Sequence, residues 1–149
     1  MIRAIAHIFA LACLVALSVV AFLVFNLPTT SERITVLDGD TILFDDIKVR
    51  LIGLDAPETR EARCTAERQA GKRATAALRE LIKDKKVRVR MTGWKDKYRR
   101  SLAYLEFADG TDIGRKMIEL GYALPYKRGD EEKSARARHW CGNNFDLVG

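Results

Sequence analysis

The hydrophobic positions divide the chain into one continuous apolar run and a remainder in which apolar and polar residues alternate. The run from Ala4 to Phe25 contains no Asp, Glu, Lys or Arg. A helix of that length would span roughly 33 Å, which is enough to cross a bilayer. Arg3 precedes the run and a short polar linker follows it, as in an export signal. Residues 1–30 are therefore predicted to be a signal anchor, or a cleaved signal peptide, followed by a linker.

This interpretation places residues 31–149 outside the cytoplasm. The domain would be anchored on the extracytoplasmic side of the membrane, or secreted if the N-terminal segment is removed. Cys13 lies inside the apolar run and is interpreted as a small apolar membrane residue. The remaining length suits one domain with a proper core.

Alternating and β-branched residues predict five strands in the rest of the chain. Residues 33–57 read as three strands in a meander, punctuated by Asp-Gly at 38–39 and Asp-Asp at 45–46. Two further alternating runs, "KVRVRMTGW" and "RSLAYLEFADG", predict strands four and five.

Helical spacing appears in three places. Between about residues 64 and 84 the apolar residues recur at helical intervals, namely Ala66, Ala70, Ala74, Ala77, Leu78, Leu81 and Ile82. Asp112 can cap a second helix that carries Ile113, Met117 and Leu120 on one face and ends at Gly121. Residues 130–140 predict a short third helix.

Five strands with a helix between the third and the fourth are typical of an OB-fold. The predicted fold class is therefore α+β, a five-stranded OB-fold barrel with flanking helices, preceded by the hydrophobic membrane segment. A five-stranded α+β sandwich of another topology is the alternative that the pattern leaves open.

The charge of the chain favours polyanionic partners. It has 26 Lys and Arg against 20 Asp and Glu, for a net charge of +6. Only Arg3 among these lies in residues 1–30, so the predicted domain itself is basic. Nucleic acid and anionic lipid headgroups are both consistent with this balance, although many basic domains bind neither specifically.

Acidic residues cluster at the ends of the predicted strands. Asp38 and Asp40 flank Gly39, and Asp55 follows strand three. Carboxylates with a backbone carbonyl make a plausible shell for Ca²⁺, although Asp-Gly-Asp is also an ordinary turn sequence. Side chains alternate between the two faces of a strand, so a regular strand would place Arg50 and Asp55 on opposite faces. They can share one face only if the alternation is interrupted, and Gly53 is where we expect the interruption.

Two segments of the chain, "VLDGDTILFDDIKVRLIGLDAPET" and "DKYRRSLAYLEFADG", resemble the thermonuclease family, the staphylococcal-nuclease-like Ca²⁺-dependent nucleases. The resemblance extends over roughly residues 33 to 141. It implies that Asp40 and Asp55 ligate Ca²⁺ through their carboxylates. It further implies that the carbonyl of Ala56 is the third protein ligand, with Asp38 a near neighbour of the metal.

The resemblance also implies the catalytic groups. Glu58 matches the proposed general base, which activates water for in-line attack on phosphorus. Arg50 and Arg100 match the arginines that hold the phosphate while charge builds on its oxygens, a task that suits a planar guanidinium. Alternatively, Glu58 anchors its own loop, and Arg50 is an ordinary strand arginine.

The substrate contacts that the resemblance implies are Lys97 and Tyr98, at positions that meet the terminal phosphate of the nucleotide, and Tyr126, near a base-stacking position. Tyr126 as a core or rim residue is an equal alternative. Arg99 stands where the family usually has glycine, and arginine adopts a positive φ less readily. We still assign the catalytic role to Arg100, because that choice keeps the register of "SLAY".

The function expected from this resemblance is an exported, Ca²⁺-dependent hydrolase that cuts DNA and RNA and leaves 3′-phosphate ends. No protein partner is implied, and a monomer is expected. The alternative is an OB-type nucleic-acid binding module that has lost catalysis. Such a module would be expected to lack at least one of Arg50, Glu58, Asp40 and Asp55, and all four are present.

The last expectation is a disulfide between Cys64 and Cys141. Export would place both thiols in an oxidising compartment, and they are the two cysteines left once Cys13 is assigned to the apolar segment. Two alternatives stay open at this stage: both thiols are free, or Cys64, His139 and Cys141 bind a metal.

Overall fold

The computed structural model describes residues 33–142, apart from the side chain of Lys133. This part of the chain contains β1 Ile34–Asp38, β2 Thr41–Phe44, β3 Ile47–Leu51, β4 Leu54–Asp55, α1 Thr65–Ile82, β5 Val87–Lys95, β6 Ser101–Phe107, α2 Ile113–Glu119, β7 Leu124–Pro125 and α3 Asp130–Cys141. No helix among these residues has the length and apolar character needed to span a membrane. The predicted membrane segment, residues 1–30, lies outside the described residues.

Five strands form one sheet in the order β1-β2-β3-β6-β5. The β1, β2 and β3 strands make the predicted antiparallel meander, and β6 joins β3 in parallel. Asp45 and Asp46 both take positive φ in the β2–β3 turn, which is the conformation that a tight hairpin requires. The α+β class and the OB-like strand order are therefore confirmed.

The predicted closure of the barrel is wrong. β1 and β5 are the two edges of the described sheet, and no pairing joins them. Helix α1 covers the β1 edge, where Arg79 Nη2 donates a hydrogen bond to the carbonyl of Val36 at 3.1 Å. A side chain from a helix, instead of a strand, thus occupies a backbone acceptor of β1.

The core lies between this sheet and the helices. Ala74 and Leu78 of α1 pack with Ile42 and Leu105 of the sheet and with Met117 of α2, all fully buried. Leu120 departs from its predicted face, because α2 ends at Glu119 and Leu120 is exposed beyond it. The short pair β4–β7, which the pattern did not predict, holds Asp55 opposite Leu124.

A disulfide joins Cys64 to Cys141, with 5.9 Å between the Cα atoms and a sequence separation of 77. Cys64 is the N-cap of α1, and Cys141 is the last residue of α3. The bond therefore ties α3 to the start of the long helix. With both sulfurs bonded to each other, the structure favours neither free thiols nor a metal site that includes His139.

Removing this bond should destabilise the fold. The variant Cys64→Ser with Cys141→Ser is expected to lose about 4 kcal/mol of unfolding free energy, because the loop that the bond closes regains its entropy in the unfolded chain. Chemical denaturation with and without reductant provides the measurement. Reductant should lower the denaturation midpoint of the parent protein and leave the midpoint of the variant unchanged. A variant whose midpoint equals that of the oxidised parent contradicts the prediction.

Candidate active site

The alternation of side chains along the backbone is interrupted between β3 and β4. Gly53 adopts φ +87°, in the region that favours glycine, and this places Arg50 and Asp55 on the same side. Arg50 Nη2 lies 2.7 Å from Asp55 Oδ1. The two residues of opposite parity therefore meet, and the break lies at the glycine where the sequence predicts it.

Arg50 bridges two carboxylates. Its Nη1 lies 2.5 Å from Asp40 Oδ1, while its Nη2 binds Asp55. Asp40 is buried, and its oxygens also accept hydrogen bonds from the hydroxyl of Thr41 and the N–H of Ala56, both at 3.0 Å. The turn before β2 and strand β4 thus place the carboxylates of Asp40 and Asp55 against one cationic group.

Burial and the attraction between opposite charges both shift the pKa values of Asp40 and Arg50. Burial raises the pKa of Asp40 to about 7, and the adjacent guanidinium of Arg50 acts in the opposite direction. Desolvation alone would lower the pKa of Arg50, but the charges of Asp40 and Asp55 raise it. Asp38 adds a third negative charge and accepts a hydrogen bond from the N–H of Asp40 at 3.2 Å.

The donor set at this point fits a hard divalent cation. The carboxylates of Asp40 and Asp55 converge on one shared positive group, and carboxylate oxygens with a main-chain carbonyl are the ligands that Ca²⁺ takes. Ala56 is held next to them through its N–H. These three residues would hold the ion that the resemblance implies.

Glu58 extends from the loop after β4. It is exposed, and the structure shows no hydrogen bond or ion pair to its carboxylate within residues 33–142. Partial desolvation raises its pKa, as does the charge of Asp38. A carboxylate that is unengaged and less acidic than usual is suited to accept a proton from water.

Helix α1 supports the Glu58 loop through Gly71. A Cβ built on Gly71 would lie 2.6 Å from the carbonyl oxygen of Pro57 and 2.7 Å from that of Glu58. The helix and the loop backbone are therefore in direct contact, which only glycine permits.

Arg100 follows a turn that Asp96 organises. Asp96 Oδ1 accepts the N–H groups of Tyr98 and Arg100, and its Oδ2 accepts Arg100 Nε at 2.7 Å. Desolvation acts to raise the pKa of Asp96, but its hydrogen bonds with Arg100 outweigh that effect and lower it. The sequence predicted no role for Asp96, because its contacts with Tyr98 and Arg100 depend on the turn conformation of residues 96–100.

The register of β6 places Arg100 beside β3. Ser101 and Leu102 pair with Val49 and Arg50. Arg100 therefore comes just before the strand residues that flank Arg50, although the structure places its side chain on Asp96 and not on the acids that Arg50 binds.

Arg99 has φ +64°, so this arginine adopts the conformation that glycine takes more easily. Replacing it by glycine should raise the unfolding free energy by up to about 1 kcal/mol, because the backbone strain is relieved. Chemical denaturation measures the change. Lys97→Gly, at a residue of the same turn with no positive φ, is the matched control and should lower the unfolding free energy. An equal decrease in unfolding free energy in both variants contradicts the prediction.

The three predicted substrate residues line the surface. Lys97 Nζ lies 4.9 Å from the ring centroid of Tyr98, and the guanidinium of Arg100 lies 5.5 Å from the same centroid. Tyr126 is 48% exposed and not a core residue, and its N–H donates to the carbonyl of Gly53 at 3.0 Å. Lys97 and Tyr98 thus belong to the Arg100 turn, and Tyr126 borders the backbone break.

Arg136 is a residue of the site that sequence analysis missed. Its Nε contacts Asp55 Oδ2, the oxygen that Arg50 leaves unbound, and its Nη1 donates to the carbonyl of Lys127 at 3.1 Å. Helix α3 carries it, and the disulfide fixes the end of that helix. No local motif marks this arginine, since 81 positions separate Arg136 from Asp55.

Comparison with known proteins shows similarity to three curated relatives. An "Uncharacterized endonuclease" of Haemophilus influenzae is 33% identical over 104 residues, which cover 66% of this chain and 53% of that protein. A "Thermonuclease" of Staphylococcus intermedius is 40% identical over 79 residues, which cover 50% of this chain and 46% of that protein. "Succinoglycan biosynthesis protein ExoI" of Rhizobium meliloti is 32% identical over 115 residues, 74% of this chain and 59% of that protein.

The chain spans about half the length of the curated relatives it matches. The family described as "Staphylococcal nuclease homologue" matches residues 48–140, a stretch that runs from β3 through α3 and contains Arg50, Asp55, Glu58 and Arg100. The chain therefore belongs to the staphylococcal nuclease homologue family.

Proposed function

We propose that this protein is a Ca²⁺-dependent nuclease that hydrolyses phosphodiester bonds of DNA and RNA and leaves 3′-phosphate ends. The observation that carries the proposal is the convergence of Asp40 and Asp55 on Arg50, directly before the loop that presents the unengaged carboxylate of Glu58. Metal ligands, a phosphate-binding guanidinium and a base are thus all provided by 19 consecutive residues, 40–58.

The chemistry assigns one task to each side chain. Arg50 and Arg100 would bind the non-bridging oxygens of the phosphodiester and stabilise the negative charge that develops on them. Glu58 would take a proton from the attacking water as the new P–O bond forms and the P–O5′ bond breaks. A bound divalent cation would supply further positive charge at the phosphoryl oxygens.

The test is cleavage by the full chain purified in detergent. Single-stranded DNA and RNA are incubated with Ca²⁺ or with chelator, and Glu58→Gln, purified identically, controls for contaminating nucleases. We expect Ca²⁺-dependent cleavage, with products that a polymerase extends only after phosphatase treatment. Metal-independent binding without cleavage would instead indicate an inactive nucleic-acid binding module.

Asp40→Asn should weaken the response to Ca²⁺. Loss of one ligand charge is expected to raise the Ca²⁺ concentration for half-maximal activity by at least about tenfold. A Ca²⁺ titration of the variant measures this shift. Asp109→Asn, in the exposed turn after β6, is the matched control; an Asp40→Asn titration that overlays the control removes Asp40 from the metal shell.

We also propose that the domain acts outside the cytoplasm as a monomer, tethered by residues 1–30 or released by cleavage after them. The Cys64–Cys141 disulfide supports this location, since such bonds persist in oxidising compartments. Thiol titration of protein from the exported fraction, without reductant, tests the proposal: two reactive thiols from the described domain would contradict it.

A further inference from the structure

Trp94 is the most exposed large hydrophobic residue of the described chain, with 75% of its surface accessible, and Tyr98 follows with 68%. A bare tryptophan on a small domain is unusual, because its side chain contributes most when it is covered. Trp94 has no part in the site described above. Its ring is therefore free to stack against a ligand with an aromatic face.

A bulge in β5 presents this side chain. Met91 pairs with Ala103 and Lys95 with Ser101, so the three residues 92–94 lie opposite Leu102 alone. Gly93 takes φ +79°, and Thr92 Oγ1 donates to the carbonyl of Leu102 at 2.9 Å while accepting the N–H of Trp94 at 3.2 Å. The bulge is therefore fixed by hydrogen bonds and is a built feature.

The bulge lies in the same row of the sheet as Arg50. Leu102, opposite the bulge, pairs on its other side with Arg50 in β3. With neighbouring strands about 4.8 Å apart, the backbone of the bulge is roughly 10 Å from that of Arg50. At 3.4 Å per stacked nucleotide, this separation corresponds to about three nucleotides.

The charge around Trp94 is positive. Lys95 is exposed next to Trp94 at the end of β5, and Lys97 and Arg99 are exposed beside Tyr98 in the connection that follows. An exposed aromatic side chain among cations is the combination that binds single-stranded nucleic acid, in which bases stack on the ring and phosphates meet the cations. In a duplex the bases stack on each other and are not available to the ring.

We propose that Trp94 is a base-stacking subsite for single-stranded DNA or RNA, a few nucleotides from the phosphate that Arg50 would hold. This inference rests on the proposed nuclease function and adds a preference for unpaired substrate to it. The subsite binds substrate and takes no part in bond cleavage, so its loss should act on affinity and leave kcat nearly unchanged.

The experiment compares Trp94→Ala and Trp94→Phe with Ile47→Ala, an exposed hydrophobic control at the opposite end of β3 from Arg50. Affinity for a ten-nucleotide oligo(dT) is measured on the full chain in chelator, and kcat and KM are measured separately with Ca²⁺. A set of oligonucleotides carrying one abasic site at successive positions locates the stacked base.

Trp94→Ala is expected to weaken oligo(dT) binding and raise KM by about tenfold, within the range for one stacked base, while Trp94→Phe and Ile47→Ala stay near the parent. An abasic site at one position of the oligonucleotide should weaken its binding to the parent protein and leave its binding to Trp94→Ala unchanged. An unchanged affinity of Trp94→Ala, or an equal loss with the matched duplex, overturns the subsite. If the parent shows no Ca²⁺-dependent cleavage at all, the nuclease proposal fails instead, whatever the binding result.

Discussion

Replacing Arg100 by alanine is expected to lower kcat by about 100- to 1,000-fold, with only a modest loss of substrate affinity. The guanidinium would act mainly on the charge that builds up in the transition state, and loss of one such donor has an effect of this size. Glu58→Gln should give a decrease of orders of magnitude for a different reason, because the amide cannot accept the proton of the attacking water. Steady-state kinetics on single-stranded DNA with Ca²⁺ provide both numbers.

Arg99→Ala is the matched control for this prediction. Its side chain is exposed, whereas Arg100 is partly buried and held by Asp96. Arg99→Ala should therefore retain most of the turnover of the parent. The reverse pattern, an inactive Arg99→Ala with an active Arg100→Ala, would show that the catalytic arginine is assigned one position too late.

Gly71→Ala is expected to lower kcat by at least about tenfold, although it lies on a helix and touches no substrate. The new methyl group would have to displace the carbonyls of Pro57 and Glu58, and displacements near 1 Å at a reacting group reduce rates by about 100-fold. Overpacking should also lower the unfolding free energy by about 1–3 kcal/mol, which exceeds the gain of up to about 1 kcal/mol from alanine in a helix.

Denaturation and kinetics on Gly71→Ala separate the two effects. Lys72→Ala, at the next and exposed position of α1, controls for the change in helix propensity and should keep full activity. If Gly71→Ala keeps the kcat of the parent, the backbone of the Glu58 loop can move to accept the methyl group without affecting catalysis, which contradicts the prediction.

Residues close together in the sequence were sufficient to predict many features of the fold and the site. The Asp-Asp turn, the break at Gly53 and the span of α1 each depend on residues close together in the chain, and all three are found near their predicted places. Such features are encoded in the conformational preferences of single residues and their immediate neighbours. The positive φ of Arg99 had a different source, since the resemblance pointed to it through the glycine that is usual at this position.

What the sequence did not predict depends on contacts between distant segments. At the open edge of β1, the carbonyl of Val36 accepts a hydrogen bond from Arg79 of α1, 43 positions away. The pairing of Arg136 with Asp55 requires α3 to lie against the site, which no spacing in a single chain announces. Alternation along β5 predicted a strand but not its bulge, because a bulge is defined by the partner strand.

The contact of Arg136 with Asp55 has a consequence for the order in which this site matures. Residues 34–55, from β1 through β4, contain Asp38, Asp40 and Asp55 and are synthesised well before α3. Arg50 is the one cation within these residues that the structure shows on the acids. Until α3 docks, Asp55 Oδ2 therefore lacks its contact with Arg136, and the Cys64–Cys141 bond holds in place the helix that supplies this contact.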